Sequence, residues 1–410
     1  AVKADILYSL FFYLGGIFMF FIGIDIAKRS HQAAVTDVSG NIIIKPFNFK
    51  NSSLGFNQFL SVLESNSVPK DDCVIGLEST GHYWYPLYFF LVEQKFNVKV
   101  FNPIQTAAFR EITIRKVKND NLDSIMIADF TRFGRYSETH IPSENMLALK
   151  NLSRFRLSVS DICGTLKKRT IVLLDQVFPE YDTVFCDIFG TTSKLLLEKF
   201  STPEEFSEIS TTKLANFIHK VSRGRLGREK AELIKAAANN SIGISYAVDT
   251  FSFQIKQLIE QIEFMENQLS EIDAEMAKLL ALSEYSVITT ISGIGPTLGS
   301  IIVSEIGDIE RFETSSKLVA YAGLDASVKQ SGEFNSSQNK ISKRGSPYLR
   351  RALWMAAFMS LQCDPALYDY YSRLRARGKS HRLATTAVAR KLCIIVWAIM
   401  KSKLPYSPNI

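Results

Sequence analysis

Three short apolar runs of strand character near the start of the chain, "FFIGIDIA", "QAAVTDV" and "NIIIKPFNF", are separated only by brief polar connections. Connections this tight predict an antiparallel meander, with "SGN" as the turn between the second and third runs. The Asn/Ser-capped amphipathic stretch "NSSLGFNQFLSVLES" predicts a helix. After it come a fourth apolar strand, "CVIGLE", a second helix from about Tyr83 to Lys95, and a fifth strand, "VKVFN". Two of these strands end on a carboxylate: Asp25 closes the first and Glu78 the fourth.

The order β-β-β-α-β-α-β is that of the ribonuclease H-like fold, in which strands one and four are neighbours. Both carboxylates are therefore expected at the same end of one sheet. Two acids converging there repel each other and are costly to desolvate, which implies a cation between them. Carboxylate and water suit Mg²⁺ or Mn²⁺. In "RKVKNDNLDSIMIADF", Asp120 and Asp123 stand i,i+3 at the start of a helix and face one way, whereas Asp129 falls on the opposite face and is left out of the site. The alternative is structural: a strand-end Asp also serves turns, and acids in a first helical turn also favour the helix dipole.

Helical pattern continues from Gln105 to about Tyr136, and from Asn151 to Ala281 the chain is mainly helical. Ile255, Leu258, Ile262, Met265, Leu269, Ile272, Met276 and Leu279 recur at alternating spacings of three and four. This predicts either a coiled-coil helix over about 250–282 or an intramolecular helical hairpin. Glycine- and serine-rich turns after Tyr285 mark a further domain. The expected division is a catalytic domain over 19–150, a helical linker with coiled coil over 151–284, and a C-terminal domain over 285–410. Residues 1–18 carry most of a 19-residue uncharged stretch, long enough for a signal-anchor by the rule of about 17 to 25 residues. Since Met19 directly precedes the first strand, residues 1–18 are expected instead to be a non-native or disordered extension.

From Lys340 to Lys403 there are 14 Lys/Arg against two acids, a local charge of +12 that leaves −5 for the rest of a chain of net charge +7. This asymmetry points to a polyanion, nucleic acid before membrane surface, with a solvated basic face as the bland alternative. Five scattered cysteines without a CxxC or Cys/His pairing read as reduced thiols of a cytoplasmic protein rather than a disulfide frame or zinc site. "ISGIGPTLGSIIVSEIG" has the pattern of two short helices joined at Gly293 and Gly295. That is a helix-hairpin-helix whose backbone amides approach DNA phosphate, or else a packing turn. Downstream, Ser346 and Pro347 predict the N-cap and first residue of a helix carrying Arg350 and Arg351. Lys340, Lys343 and Arg344 lie just before it.

Taken together, "IGIDIAK", "LESTGHYW" and "KNDNLDS", then "ISGIGPTLGSIIVSEIGDIERF", "YAGLDASVKQSGEF" and "ISKRGSPYLRRALWMAA", resemble the DEDD transposases and site-specific recombinases of bacterial insertion sequences, relatives of the Piv and MooV DNA invertases. Ser124 stands where the family usually has Ala, and Ala326 where a Pro commonly follows the "GL" turn; neither removes a proposed ligand. The resemblance implies a RuvC-like DEDD domain binding two Mg²⁺ through Asp25, Glu78, Asp120 and Asp123. It implies a serine nucleophile at Ser331, in "SG", where the residues alone would not choose among Ser331, Ser336, Ser337 and Ser342. It also implies donor and target duplex DNA as partners, a structured guide RNA encoded by the element, and a dimeric or tetrameric synapse. With acids and serine in separate domains, domain apposition would assemble the site. Three rivals remain: a hydrolytic nuclease or junction resolvase without a covalent intermediate, a scaffold whose acids are structural, and a membrane-anchored protein.

Overall fold

A computed structural model of the chain describes residues 19–111, 120–136, 138–326, 330–331, 334–335 and 340–407, with the backbone alone at Asp120, Gln330, Ser331, Phe334 and Asn335. The expectation for residues 1–18 lies outside the described residues. The chain forms two compact units, one up to Ile141 and the other from Pro142 to Ile410.

The first unit is built on β1 (Phe20–Asp25), β2 (Ser30–Thr36), β3 (Ile42–Lys50), β4 (Cys73–Glu78) and β5 (Asn97–Phe101), in the sheet order β3-β2-β1-β4-β5. The meander is antiparallel, whereas β1 pairs β4, and β4 pairs β5, in parallel. The intervening helices α1 (Ser53–Ser65) and α2 (Trp84–Glu93) make this possible, because parallel neighbours need a crossover longer than a hairpin. Ser52 caps α1, its side chain accepting from the Gly55 amide at 3.2 Å. Ile22 and Ile24 of β1 and Ile75 and Leu77 of β4 belong to one buried core with Phe56, Phe59, Leu87 and Leu91 of α1 and α2. Alternation sends Gly23, Asp25, Gly76 and Glu78 to the other face. That face is covered by α4 (Asp120–Phe133), which follows α3 (Pro103–Glu111) in the chain. A Cβ on Gly23 would stand 2.1 Å from the Ser124 carbonyl oxygen and 2.2 Å from the Ala128 nitrogen, so α4 rests directly on β1. The expected strand order is thus observed: a mixed sheet consistent with a ribonuclease H-like core.

The second unit is largely helical. Its spine is α5 (Glu144–Val177), joined by the short α6 (Tyr181–Val184), α7 (Thr191–Lys199), α8 (Pro203–Glu208), α9 (Thr211–Val221) and α10 (Arg228–Asn239) to α11 (Val248–Ala281). The two long helices lie side by side, Arg156 bonding Asp273 at 2.8 Å and Lys167 bonding Glu266 at 2.6 Å, numbers that descend on one helix as they rise on the other. The apolar stripe of α11 is buried or half-buried along its length. Ile255 and Ile262 join a core with Phe178, Phe206 and Ile218, while Ile272 and Met276 join the core of the C-terminal helices. Residues of the same chain therefore cover the stripe, as in the helical-hairpin alternative.

Glu205 ties the short helices to α11. It accepts from the Lys256 ammonium at 2.6 Å and from the Ser201 and Thr202 amides, and completes a capping box with Thr202. Burial works to raise its pKa, but the hydrogen bonds from Lys256 and the two amides prevail and hold it below the usual 4.5. A carboxylate depressed on folding contributes stability that is present above its unfolded pKa and lost as pH falls through the folded value. Glu205→Gln is accordingly expected to cost about 1 kcal/mol near neutral pH, with the gap to the parent closing in acid below the usual 4.5. Urea melts at neutral and acid pH test this, and a gap that widened in acid would contradict it.

The C-terminal part comprises a 3₁₀ segment at Ser286–Thr290, α12 (Pro296–Ile306), α13 (Ser315–Tyr321), the two-residue strands β6 (Gln330–Ser331) and β7 (Phe334–Asn335), then α14 (Pro347–Cys363), α15 (Pro365–Ala376) and α16 (His381–Ser402). Among the described helices α16 alone is long and apolar enough to cross a membrane, yet Val388, Leu392, Val396 and Met400 fill the core with Leu353 and Ala357 of α14. All five cysteines are free thiols, and burial pushes those of Cys73 and Cys393 up to about 12.

Candidate active site and nucleic-acid interface

Because Ile24 pairs with Leu77 in a parallel ladder, the next residues, Asp25 and Glu78, stand at adjacent positions where the two strands end. Both are half-buried and project on the face that α4 covers. The helix runs against β1: residues 124–128 sit over Gly23, while Arg132 in its last turn lies beside Gly40 in the β2–β3 turn at the opposite end of the sheet. Its first turn is thereby carried over the carboxylate end. Asn121 of that turn accepts from Gln32 Nε2 at 2.7 Å, and Gln32 is the residue paired with Asp25 across the β1–β2 ladder. Asp123, 7% exposed, lies in the same first turn, and the helix begins at Asp120. Asp129 sits apart, bonded within its helix to Arg132 at 3.1 Å.

Asp25, Glu78 and Asp123 offer hard carboxylate oxygens, the donor type that Mg²⁺ and Mn²⁺ take. Their present partners are protein groups: Asp123 Oδ1 is paired with Arg110 Nη2 at 3.0 Å, and Glu78 accepts from Thr80 Oγ1 at 2.9 Å. Among the described residues, no group of three or more His, Cys, Asp or Glu side chains is arranged to hold a metal ion. A cation drawing on Asp123 therefore competes with the Arg110 guanidinium. Arg110, Gln32 and Asn121 were not expected from the sequence. For Gln32 the cue was its register opposite Asp25, but nothing in the spacing of Arg110 and Asp123 announces their pairing.

Of the expected C-terminal residues, Ser331 lies on β6 directly opposite Phe334 in a small hairpin. Ser346 caps α14 with Pro347 in its first turn, as expected, its side chain accepting from the Leu349 amide at 3.1 Å. Arg350 Nη1 donates to the Ala322 carbonyl at 3.2 Å, and Arg351 grips both carboxylate oxygens of Asp161 at 2.6 and 2.8 Å, so each has a structural partner. Lys340, Lys343 and Arg344 are exposed. The expected pair of helices around Gly293 and Gly295 is a 3₁₀ segment followed by α12. Gly293, at φ +89°, faces Ser360 of α14 so closely that a Cβ would stand 2.5 Å from its Oγ, the requirement of a packing turn. Gly295 is the N-cap of α12 and has open space where a Cβ would lie.

Residues 22–179 match a transposase family model of the DEDD, IS110 type, and residues 285–372 match one described as the transposase IS116/IS110/IS902 family. The chain is 24% identical over 299 residues to an uncharacterized 43.6 kDa protein of insertion element IS110 from Streptomyces coelicolor, covering 72% of this chain and 73% of that one. It is 22% identical over 393 residues to a 44.8 kDa protein of insertion element IS116 from Streptomyces clavuligerus, covering 94% and 96%. A pilin gene-inverting protein of Moraxella bovis is 23% identical over 398 residues, covering 95% and 98%. The acid-bearing sheet unit and the C-terminal helical segment are the stretches these family models match, and at family level the chain belongs to the transposases of the IS110, IS116 and IS900 insertion elements, related to the pilin gene-inverting proteins.

Proposed function

We propose that this chain cuts and rejoins the DNA strands of an insertion sequence, using a Mg²⁺-dependent DEDD site and Ser331 as nucleophile. The observation that carries the reading is the adjacency of Asp25 and Glu78 at neighbouring strand ends, on the face to which α4, beginning at Asp120, brings Asp123. In this reading the sheet unit is RuvC-like, α5 and α11 pair within the chain as a coiled-coil spine, and the chain works as a dimer or tetramer. The α12 N-terminus at Gly295, serving as the second half of a helix-hairpin-helix, presents its first amides to phosphate. When bound, Mg²⁺ supplies charge stabilisation for the phosphorane-like transition state at the scissile phosphate. The protein's part is to hold the carboxylates at one sheet end and to offer the Ser331 hydroxyl. Its oxygen forms the new bond to phosphorus as a bond from phosphorus to a deoxyribose oxygen breaks, and that oxygen takes up the proton the serine gives up. The exposed Lys343 and Arg344 bind the backbone of DNA and of a guide RNA.

The test is to express the chain in cells carrying a plasmid copy of its own element and to look for a protein–DNA species that survives denaturation. The expected result is such a species with the parent chain and none with Ser331→Ala. A species that persists in Ser331→Ala refutes the serine nucleophile; strand cutting without any covalent species would instead favour hydrolysis by water at the carboxylate end.

A further inference from the structure

Glu305 is the acid of α12 that the proposed chemistry does not use, and it is almost wholly buried, 1% exposed. Its carboxylate receives Arg154 of α5 through Nε at 2.6 Å and Nη2 at 3.1 Å, and also the Ser346 hydroxyl at 2.8 Å. Its backbone carbonyl receives the Tyr321 hydroxyl at 3.2 Å. Tyr321 and Ser346 are the two ends of one excursion of the chain. The Ser346 amide donates to the Tyr321 carbonyl at 2.9 Å, the Lys343 amide to the Gly323 carbonyl at 3.2 Å, and the Ser342 amide to the Asp325 carbonyl at 2.8 Å, beyond which Ala326 pairs with Ile341. Gly323 and Gly345, both at positive φ, let the two sides close: a Cβ on Gly345 would stand 2.0 Å from the Tyr321 carbonyl oxygen. The hairpin that bears Ser331 is borne by this zipped base.

We infer that Glu305 is a positioning residue that clamps both feet of the Ser331 excursion, the entry foot through Tyr321 and the exit foot through Ser346, with Arg154 as its fixed counter-charge. The inference rests on the reading of Ser331 as nucleophile. A buried carboxylate neutralised by a bidentate guanidinium has little freedom to move, because leaving the half-exposed Arg154 would strand the carboxylate's charge away from water. Its Oε2, which also receives Arg154 Nη2, therefore fixes the Ser346 hydroxyl, which at the same time caps α14, so helix and excursion share one anchor. Serine attack on phosphorus needs a defined approach, and small displacements of a nucleophile's support cost large factors in rate.

The test compares Glu305→Gln, Ser346→Ala, Ser346→Thr and Tyr321→Phe in the full-length protein. Two quantities are read: covalent protein–DNA species in cells carrying the element, and hydrogen exchange at Gln330, Ser331, Phe334 and Asn335 in the purified chain. Glu305→Gln and Ser346→Ala are expected to reduce the covalent species about tenfold or more, with faster exchange confined to the hairpin, while Ser346→Thr, which keeps the hydroxyl, restores both. Should Glu305→Gln fail to fold, Ser346→Ala and Tyr321→Phe each remove one foot and leave the Arg154 pair intact. Covalent species at the parental level in both foot variants, or exchange that quickens equally throughout α12 to α16, overturns the clamp. If the parent itself yields no covalent species, the serine reading falls, and exchange alone then judges the clamp: unchanged protection of the hairpin refutes it and lost protection upholds it.

Discussion

Asp25→Asn and Glu78→Gln are each expected to lower DNA strand cutting by about 10²- to 10³-fold, with DNA binding kept and the unfolding midpoint equal to the parent's or higher. Each replacement keeps the size of the side chain and one acceptor oxygen, removes the charge, and turns the other oxygen into an NH2 donor. At neighbouring ends of β1 and β4, both half-buried, the two carboxylates repel each other, so removing one charge relieves strain in the folded protein. Stability therefore separates a working acid from a structural one. Asp129→Asn is the matched control, since Asp129 is bonded to Arg132 within its own helix and stands off the carboxylate end. Cutting rates over a Mg²⁺ titration, set beside urea melts, give the answer. Intact cutting in Asp25→Asn, or a loss of cutting that merely follows a loss of stability, would sink the assignment.

Gly23→Ala is expected to destabilise the sheet unit by about 3 kcal/mol and to abolish cutting with it. The added methyl would lie 2.1 Å from the Ser124 carbonyl oxygen and 2.2 Å from the Ala128 nitrogen. Both are backbone atoms of α4, so no side-chain rotation can make room and the helix has to lift off β1. Lifting it withdraws Asp123 from the Asp25 end and breaks the Gln32–Asn121 bond. Gly164→Ala, in the middle of α5 with nothing within 4 Å of the new methyl, serves as the contrasting case. It is expected to stabilise its unit by about 0.5 to 1 kcal/mol. Denaturant melts of both variants, with cutting assays alongside, check the pair; a Gly23→Ala protein with a parental melt would mean that α4 does not rest on β1 as described.

Much of the fold was legible in the chain because its local signals agree. Alternation and tight turns specify strands, Ser52 and Ser346 announce helix starts, and the succession of strands and helices admits few sheet orders. The placing of Asp25 and Glu78 at strand ends follows from the same patterns. The stripe on α11 was legible as an apolar face, but periodicity carries no information about what covers a face, and α5 of the same chain does so. Gly293 illustrates the same limit: a glycine in a turn fits a phosphate contact or a close packing contact equally well until Ser360 is found beside it. Among the candidate serines, Ser342 is drawn into the base of the excursion by Asp325, Ser331 lies on β6, and Ser336 and Ser337 fall outside the described residues.

The sequence by itself determined the strands, the helix caps, the carboxylates that end β1 and β4, and the basic character of the last third, all of which arise from residues a few positions apart. Only the tertiary structure decided that Arg110 meets Asp123, that Arg351 is held by Asp161, and that Glu305 joins Arg154, Tyr321 and Ser346. Such pairings depend on where helix surfaces come to rest, and packing sets that through contacts between residues too far apart in the chain for any local pattern to record.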